Sequence, residues 1–246
     1  GQSGTFTYPI NTNPTTFDPH VVQDGDTIDL LQNVYEGLVT WNEQNEVAPA
    51  LAESWSVSDD GLTYTFKIKK GVKFHNGREV TAEDFKWSIE RCCQSTFTSP
   101  TAGAYLNDIA GVEDKLAGKA NEVSGVKAVD SHTLALTLKQ KTPYFLGKLT
   151  YLVSVPLPKE STPLDKELTQ VSEMIGTGPF KVASTLRDQE TTLEAFADYH
   201  GGAPKLTKIV RPVVKDNTTV LAKFRNGEIQ LARLQRTDIA GVEKDP

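Results

Sequence analysis

The sequence predicts a mixed α/β protein, because two opposed hydrophobic periods are separated by turn signals. Ile28, Leu31, Val34, Tyr35 and Leu38 recur at spacings of three and four, which lines them along one helix face. Leu62, Tyr64, Phe66 and Ile68 alternate instead with Thr63, Thr65, Lys67 and Lys69, the period of a half-buried strand. Asp60-Gly61 and Asn76-Gly77 bracket that strand, and such pairs favour tight turns.

The remaining elements follow in order. Thr5 to Ile10 is a short strand candidate, and a turn-rich loop runs from Asn11 to Gly25. Asp26 or Thr27 is expected to cap the first helix and Gly37 to sit near its end. After the alternating strand, Thr81 caps a second helix with Asp84 in a capping box, and Phe85, Ser88, Ile89 and Cys92 form its inner face. Tyr105, Leu106, Ile109 and Val112 suggest one short helix, and Lys115 to Ser124 an exposed polar loop. Leu134, Leu136 and Leu138 mark a second alternating strand, Pro143 starts a helix carrying Phe145 and Leu149 inward, and Tyr151 to Val155 reads as a buried strand. Residues 156–172, rich in Pro, Ser, Thr and charge, look like a crossing between lobes. Gly176-Thr177-Gly178-Pro179-Phe180 then opens three strands, Phe180–Ser184, Thr191–Phe196 and Lys208–Val213. Thr218 to Asn226 reads as a helix with Val220, Leu221 and Phe224 inward, ended by Gly227. Ile229 to Arg233 reads as a last strand, and a helix begins near Thr237-Asp238.

Composition narrows the function classes. At 246 residues the chain can bury a core for one or two domains. Net charge is −6 and no Lys/Arg cluster stands out, which argues against a nucleic-acid partner, since phosphate binding requires a basic face. No apolar run approaches the ~18 residues a membrane helix requires. The chain begins at Gly1 and Met174 is its sole methionine, as expected after removal of a signal segment or trimming; Gly1-Gln2-Ser3-Gly4 reads as a flexible leader. Cys92 and Cys93 are adjacent and could close only a strained ring, so both are read as free thiols. His20, His75, His132 and His200 are scattered without zinc-site spacing, and neither metal nor cofactor is expected.

No catalytic constellation emerges either. The chain has no G-x-S-x-G, no H-E-x-x-H and no phosphate-cradling loop. Gly176-Thr177-Gly178 is glycine-rich, but the following Pro179 and the lack of a helix start make it a turn. Asp59-Asp60 and Glu83-Asp84 sit where turns and helix starts explain them. Trp55 and Trp87 read as packing residues, with Trp41 less constrained. No enzyme is read from these residues.

A series of motifs spans residues Thr15 to Ile239. It opens with Thr16-Phe17-Asp18-Pro19-His20 and Tyr35-Glu36-Gly37-Leu38, and continues through Pro49-Ala50-Leu51-Ala52-Glu53-Ser54-Trp55 and Gly71-Val72-Lys73-Phe74-His75-Asn76-Gly77. It then runs through Thr98-Ser99-Pro100, Gly125 to Asp130 and Pro143-Tyr144-Phe145, to Gly176 to Phe180 and Asn226-Gly227-Glu228-Ile229. In that order the chain resembles the N-terminal portion of the extracytoplasmic solute-binding proteins of ABC importers, family 5, whose members include oligopeptide- and dipeptide-binding proteins. The resemblance implies a periplasmic-binding-protein type II-like fold of two lobes across a cleft. Residues 1–39 and 175–246 would form the first, discontinuous lobe, and 40–174 an inserted smaller α+β domain. The opposite lobe would follow this chain, so a fragment or half of a split protein is expected.

The resemblance also implies a function. The whole protein would capture an oligopeptide or dipeptide and hand it to the membrane subunits of an importer. It would work as a monomer, exported to the periplasm or the outer face of the cell membrane, peripheral to that membrane, either free or lipid-anchored. Relatives also carry nickel chelates or sugars, and a peptide-sensing or interaction module is the alternative from another class. The loop after Asp18-Pro19-His20 would supply a strand-like edge, which places Gln23, Asp24 and Gly25 at the solute. Gly25 would admit a ligand backbone; Asp24 could meet an ammonium group, but the family's main ammonium-binding carboxylate belongs to the opposite lobe and that role is not assigned to Asp24. Both Asp24 and Asp26 are equally readable as helix caps, and His20 as a packed loop residue. Thr101 matches a position where peptide-binding relatives often place an aromatic. Arg233 and Gln235 replace an Asn-containing stretch at the cleft, with Arg233 readable either as a partner for a carboxylate or as a solvated residue at a strand end.

Overall fold

The computed structural model describes residues 4–97 and 99–243. The rest of the predicted leader (Gly1 to Ser3), Thr98 of one motif and the tail from Lys244 lie outside the described residues. The chain opens with β1 (Thr5–Thr7). Gly4, read as part of a loose leader, instead accepts hydrogen bonds from the amides of Thr207 and Lys208. The strand is shorter than the sequence suggests, although Ile10 still bridges to Val213.

Helix α1 spans Gly25–Leu31 and its cap is Asp24, not Asp26 or Thr27. The apolar period continues to Leu38, but the helix stops at Leu31 for a tertiary reason. The carbonyls of Asn33 and Val34 turn away from the axis to accept from the amides of Phe180 and Gly178. A helix cannot continue through carbonyls spent sideways. The approach is close: a Cβ on Gly176 would lie 2.0 Å from the Val34 carbonyl oxygen, and one on Gly178 2.6 Å from that of Asn33. The Gly176-Thr177-Gly178 turn is therefore a backbone-on-backbone junction that only glycine permits. Gly37 closes no helix; it packs against the Leu149 carbonyl.

The next elements are β2 (Val39–Trp41), β3 (Val47–Pro49), β4 (Ala52–Val57), β5 (Thr63–Ile68), α2 (Ala82–Cys92), α3 (Ala102–Tyr105), α4 (Val112–Leu116), β6 (Val126–Asp130), β7 (Thr133–Thr137) and α5 (Phe145–Lys148). β2 and β3 form a separate pair, and a four-stranded antiparallel sheet runs β4-β5-β7-β6. Its register sets Phe66 opposite Leu134 and Tyr64 opposite Leu136, so the alternation read in sequence becomes one buried face. The capping box of Thr81 and Asp84 is present, and Phe85, Ser88, Ile89 and Cys92 are buried as the helical period requires. Both cysteines are free and buried.

Three expectations change in this region. The segment 105–112 is not one helix but the turn between α3 and α4, with Ile109 bridging to Leu138. The supposed exposed loop 115–124 contains buried Lys115 and Val123, the lysine donating to the Asn121 carbonyl at 2.7 Å. Tyr151 to Val155 is a 3₁₀ turn over Leu152–Ser154, not a strand.

β8 (Phe180–Leu186), β9 (Glu190–Ala195) and β10 (Lys208–Pro212) join β1 in a second sheet, ordered β1-β10-β9-β8, with β1 parallel to β10. α6 (Asn217–Arg225) and α7 (Ile239–Val242) follow. In α6 only Val220 is buried, and Phe224, expected inward, is 48% exposed because that side of the helix has no apolar neighbour beyond a three-residue cluster. Residues 229–233 form no strand: Gln230 donates to the Thr7 carbonyl, but its own side chain takes the Thr7 amide, which ends the ladder.

Two large apolar cores result among the described residues, apart from the small cluster at α6. One lies between the β4–β7 sheet and α2. The other packs α1 and β8–β10 with Leu152, Val155, Leu157, Leu168 and Met174.

Candidate functional site: an open main-chain edge between two hollows

The loop from Thr16 to Asp26 is built on a buried ionic node. Asp18, His20 and Arg91 are all fully buried. Arg91, in the last turn of α2, donates to both carboxylate oxygens of Asp18 at 3.2 and 2.6 Å, and to the carbonyls of Pro163 and Lys166 at 2.7 and 2.6 Å. The guanidinium also lies 4.1 Å from the centre of the Phe97 ring. His20 Nε2 donates to the Val155 carbonyl at 3.1 Å, so Nδ1 is left to accept from Arg91 at 2.9 Å. That fixes a neutral imidazole. Burial drives the His20 pKa down to about 4, against the upward pull of Asp18. Burial pushes the Asp18 carboxyl up, but the Arg91 guanidinium outweighs it and holds the group below the usual range.

Beyond this node the chain emerges. Val22 is buried in the second core, whereas Gln23 and Gly25 are exposed. Tyr151 donates to the Val22 carbonyl at 3.0 Å. Asp24 caps α1: one carboxylate oxygen accepts from the Thr27 amide at 2.8 Å, the other from the Thr15 hydroxyl at 2.5 Å. Its partial burial raises its pKa, but those hydrogen bonds outweigh that and leave the carboxyl below its ordinary range. Between these fixed points, neither the N–H nor the C=O of Gln23 has a hydrogen-bond partner among the described residues.

A hollow lies against this edge, and a second lies against Asp26 and Asp29 of α1. The first, of about 570 Å³, is lined by Gln23, Asp24, Asp165, Glu167, Phe97 and Pro100 among others, and its charged lining residues are all acidic. The second, of about 410 Å³, holds Arg211, Lys215, Arg233 and Gln235 together with Asp26 and Asp29. Buried Arg211 is spent inside the protein, donating to Asp29 at 2.9 Å and to the Tyr8 hydroxyl at 3.0 Å. Arg233 is free by comparison, its side chain 74% exposed and 3.9 Å from Asp26.

The structure thus brings Gln23, Asp24 and Gly25 to one edge, with Arg233 and Gln235 in the second hollow. Thr101 lines neither hollow. It is buried at the start of α3, and its hydroxyl has no partner among the described residues. Tyr151 and Arg211 were missed in the sequence. Tyr151 carried no signal beyond an apolar run, and Arg211 sat in a strand pattern. No group of three potential metal-ligating side chains occurs among the described residues. A larger hollow of about 1050 Å³ lies elsewhere, past the far end of α1. The Glu36 carboxylate in its wall is already taken by Thr177, Tyr199 and His200.

The chain is thus a two-sheet α/β scaffold that carries an exposed main-chain edge. The family described as bacterial extracellular solute-binding proteins, family 5, matches residues 46–246, and the chain belongs to that family. It is 30% identical over 246 residues to the probable deoxycholate-binding periplasmic protein YgiS of Escherichia coli K12, covering 97% of this chain and 45% of that protein. It is 31% identical over 222 residues to the periplasmic oligopeptide-binding protein OppA of the same organism, covering 88% and 40%. The structure of the Escherichia coli murein tripeptide binding protein MppA superposes with a TM-score of 0.92 at 25% identity, covering all of this chain and 49% of that one. The chain spans about half the length of these relatives.

Proposed function

We propose that this chain is one half of a clamp that captures an extended peptide and delivers it to an ABC importer. Residues 1–39 and 175–246 act as the first lobe and 40–174 as the inserted domain. The observation that carries the reading is the unpaired N–H and C=O of exposed Gln23, held between anchored neighbours. A free main-chain pair recognises another main chain and is indifferent to side chains, as a peptide carrier requires. The two hollows suit the rest of such a ligand: the acidic one beside Asp24 takes an ammonium or cationic group, and Arg233 takes a carboxylate. Relatives of nearly equal identity are named for deoxycholate and for oligopeptides, and the free edge favours the peptide. The whole protein would act as a monomer outside the cytoplasmic membrane, closing by a hinge around its cargo.

A titration of isotope-labelled chain with a tripeptide pool, followed by amide NMR, tests this. One lobe supplies only part of the contacts, so binding near millimolar is expected, worth about 4 kcal/mol. Shifts should centre on Val22 to Gly25. Deoxycholate serves as the competitor: shifts at the same edge with deoxycholate and none with peptides would overturn the peptide assignment.

A further inference from the structure

We propose that Tyr151 is a positioning residue for the solute edge, and that Tyr105 holds it in place. The inference rests on the reading of residues 22–25 as that edge. Tyr151 belongs to the region proposed as the inserted domain, yet its hydroxyl reaches the Val22 carbonyl at 3.0 Å, a contact between residues 129 apart in sequence. Its ring is stacked on that of Tyr105, with centroids 4.0 Å apart and planes 12° from parallel. Tyr105 is anchored in turn, because its amide donates to the Thr101 carbonyl at 3.0 Å. The two rings form a strut from the apolar core of the β4–β7 sheet to the edge.

The strut matters because of what it leaves free. Val22 carries the carbonyl immediately before Gln23. With that carbonyl occupied by the phenol and the following Asp24 carboxylate occupied by Thr15 and Thr27, the peptide plane of Gln23 is fixed from both sides. An edge whose orientation is already set spends less of its interaction energy on ordering when a ligand strand arrives. Burial, then Tyr105, then Asp24 raise the Tyr151 pKa, so the group stays a protonated donor at physiological pH. The inserted domain thereby acquires a role in binding without supplying a contact of its own.

The test uses Tyr151→Phe, which keeps the ring stack and removes only the donor. In the free labelled chain, the Val22 carbonyl carbon and the Gln23 amide nitrogen should both shift, while Tyr64 to Ile68 stay in place. Tripeptide affinity, read from the same spectra at millimolar peptide, should fall about fivefold, the loss of one ordinary hydrogen bond. Tyr105→Ala, which removes the stacked ring, should lower it as Tyr151→Phe does. Unchanged Val22 and Gln23 signals in Tyr151→Phe overturn the strut. Moved signals with unchanged affinity overturn its role in binding. A wild-type chain that shows no peptide-dependent shift at residues 22–25 sinks the edge reading itself, and this inference with it. Loss of peptide affinity without any shift in the free protein would make Tyr151 a direct ligand contact and overturn the positioning role.

Discussion

Asp18 and Asp24 stand six residues apart in one loop, yet they belong to opposite kinds of structure. Asp18, with His20 and Arg91, is wholly buried, and every strong donor and acceptor of the node is matched inside the protein. The Val22–Asp26 stretch is partly exposed and leaves a main-chain pair unmatched at its centre. The node fixes the loop, and the edge is free because the node is closed. An aspartate before a helix and an aspartate in a buried ion pair look alike in sequence, and only their partners separate them.

The largest effect expected from this contrast comes from cutting the node. Arg91→Met would leave Asp18 buried without its cation, and breaking one side of a buried pair costs about 3–5 kcal/mol. Urea unfolding should show a midpoint far below that of the parent. The double variant Asp18→Asn with Arg91→Met should recover part of the loss, because no lone charge then remains. A single variant as stable as the parent would remove the node from the account.

Next in size is a pH effect. His20 and His75 each have a folded pKa of about 4 against an ordinary value of 6.5, burial being the main cause for both. The unfolded chain therefore binds more protons between those values, so stability is complete above pH 6.5 and falls as pH drops toward 4. Each histidine would contribute about 3 kcal/mol over the full window, with about 2 kcal/mol of that lost by pH 5. His75 is held by its contacts with Gly176 and Gly178. His20→Gln should reduce the dependence of the urea midpoint between pH 7 and 5 by about half, His75 supplying the rest, and an unreduced dependence would mean the His20 imidazole is solvated. Asp18 lies outside this window, since its pKa is held below the carboxylate range.

Much of the scaffold was legible because it rests on local rules. The Thr81–Asp84 capping box, the Leu62–Ile68 alternation and the three strands after Gly178 depend on neighbours in sequence, and they formed as read. The misreadings share a long-range cause. α1 ends early because the Asn33 and Val34 carbonyls are claimed from residues 178 and 180, and the strand at 229–233 fails because a Gln230 side chain takes the place of the ladder. Of the candidate site, the Gln23–Gly25 edge was legible only through family resemblance. The Tyr151 strut joins residues 129 apart in sequence, and no spacing announces it.

A smaller effect separates the two roles of Asp24. Asp24→Ala removes the α1 cap and should cost about 1 kcal/mol, whereas Asp24→Asn keeps an acceptor for the Thr27 amide and should cost a few tenths. If the carboxylate also meets a ligand ammonium group, Asp24→Asn lowers peptide affinity while leaving the unfolding midpoint nearly in place. Equal losses in both measurements would reduce Asp24 to a cap.

The smallest effect is the most discriminating for the edge. The Gln23 side chain is exposed and makes no hydrogen bond among the described residues, so Gln23→Ala should leave stability within about 0.5 kcal/mol of the parent. If the ligand pairs with main chain, affinity should also stay within about twofold, because alanine retains both the N–H and the C=O. A side-chain reader behaves differently: truncating it would cost on the order of 1 kcal/mol, about fivefold in affinity, with the fold intact. Gln23→Ala, measured in the same NMR titration as the parent, therefore distinguishes an edge that reads peptide backbone from one that reads a particular cargo.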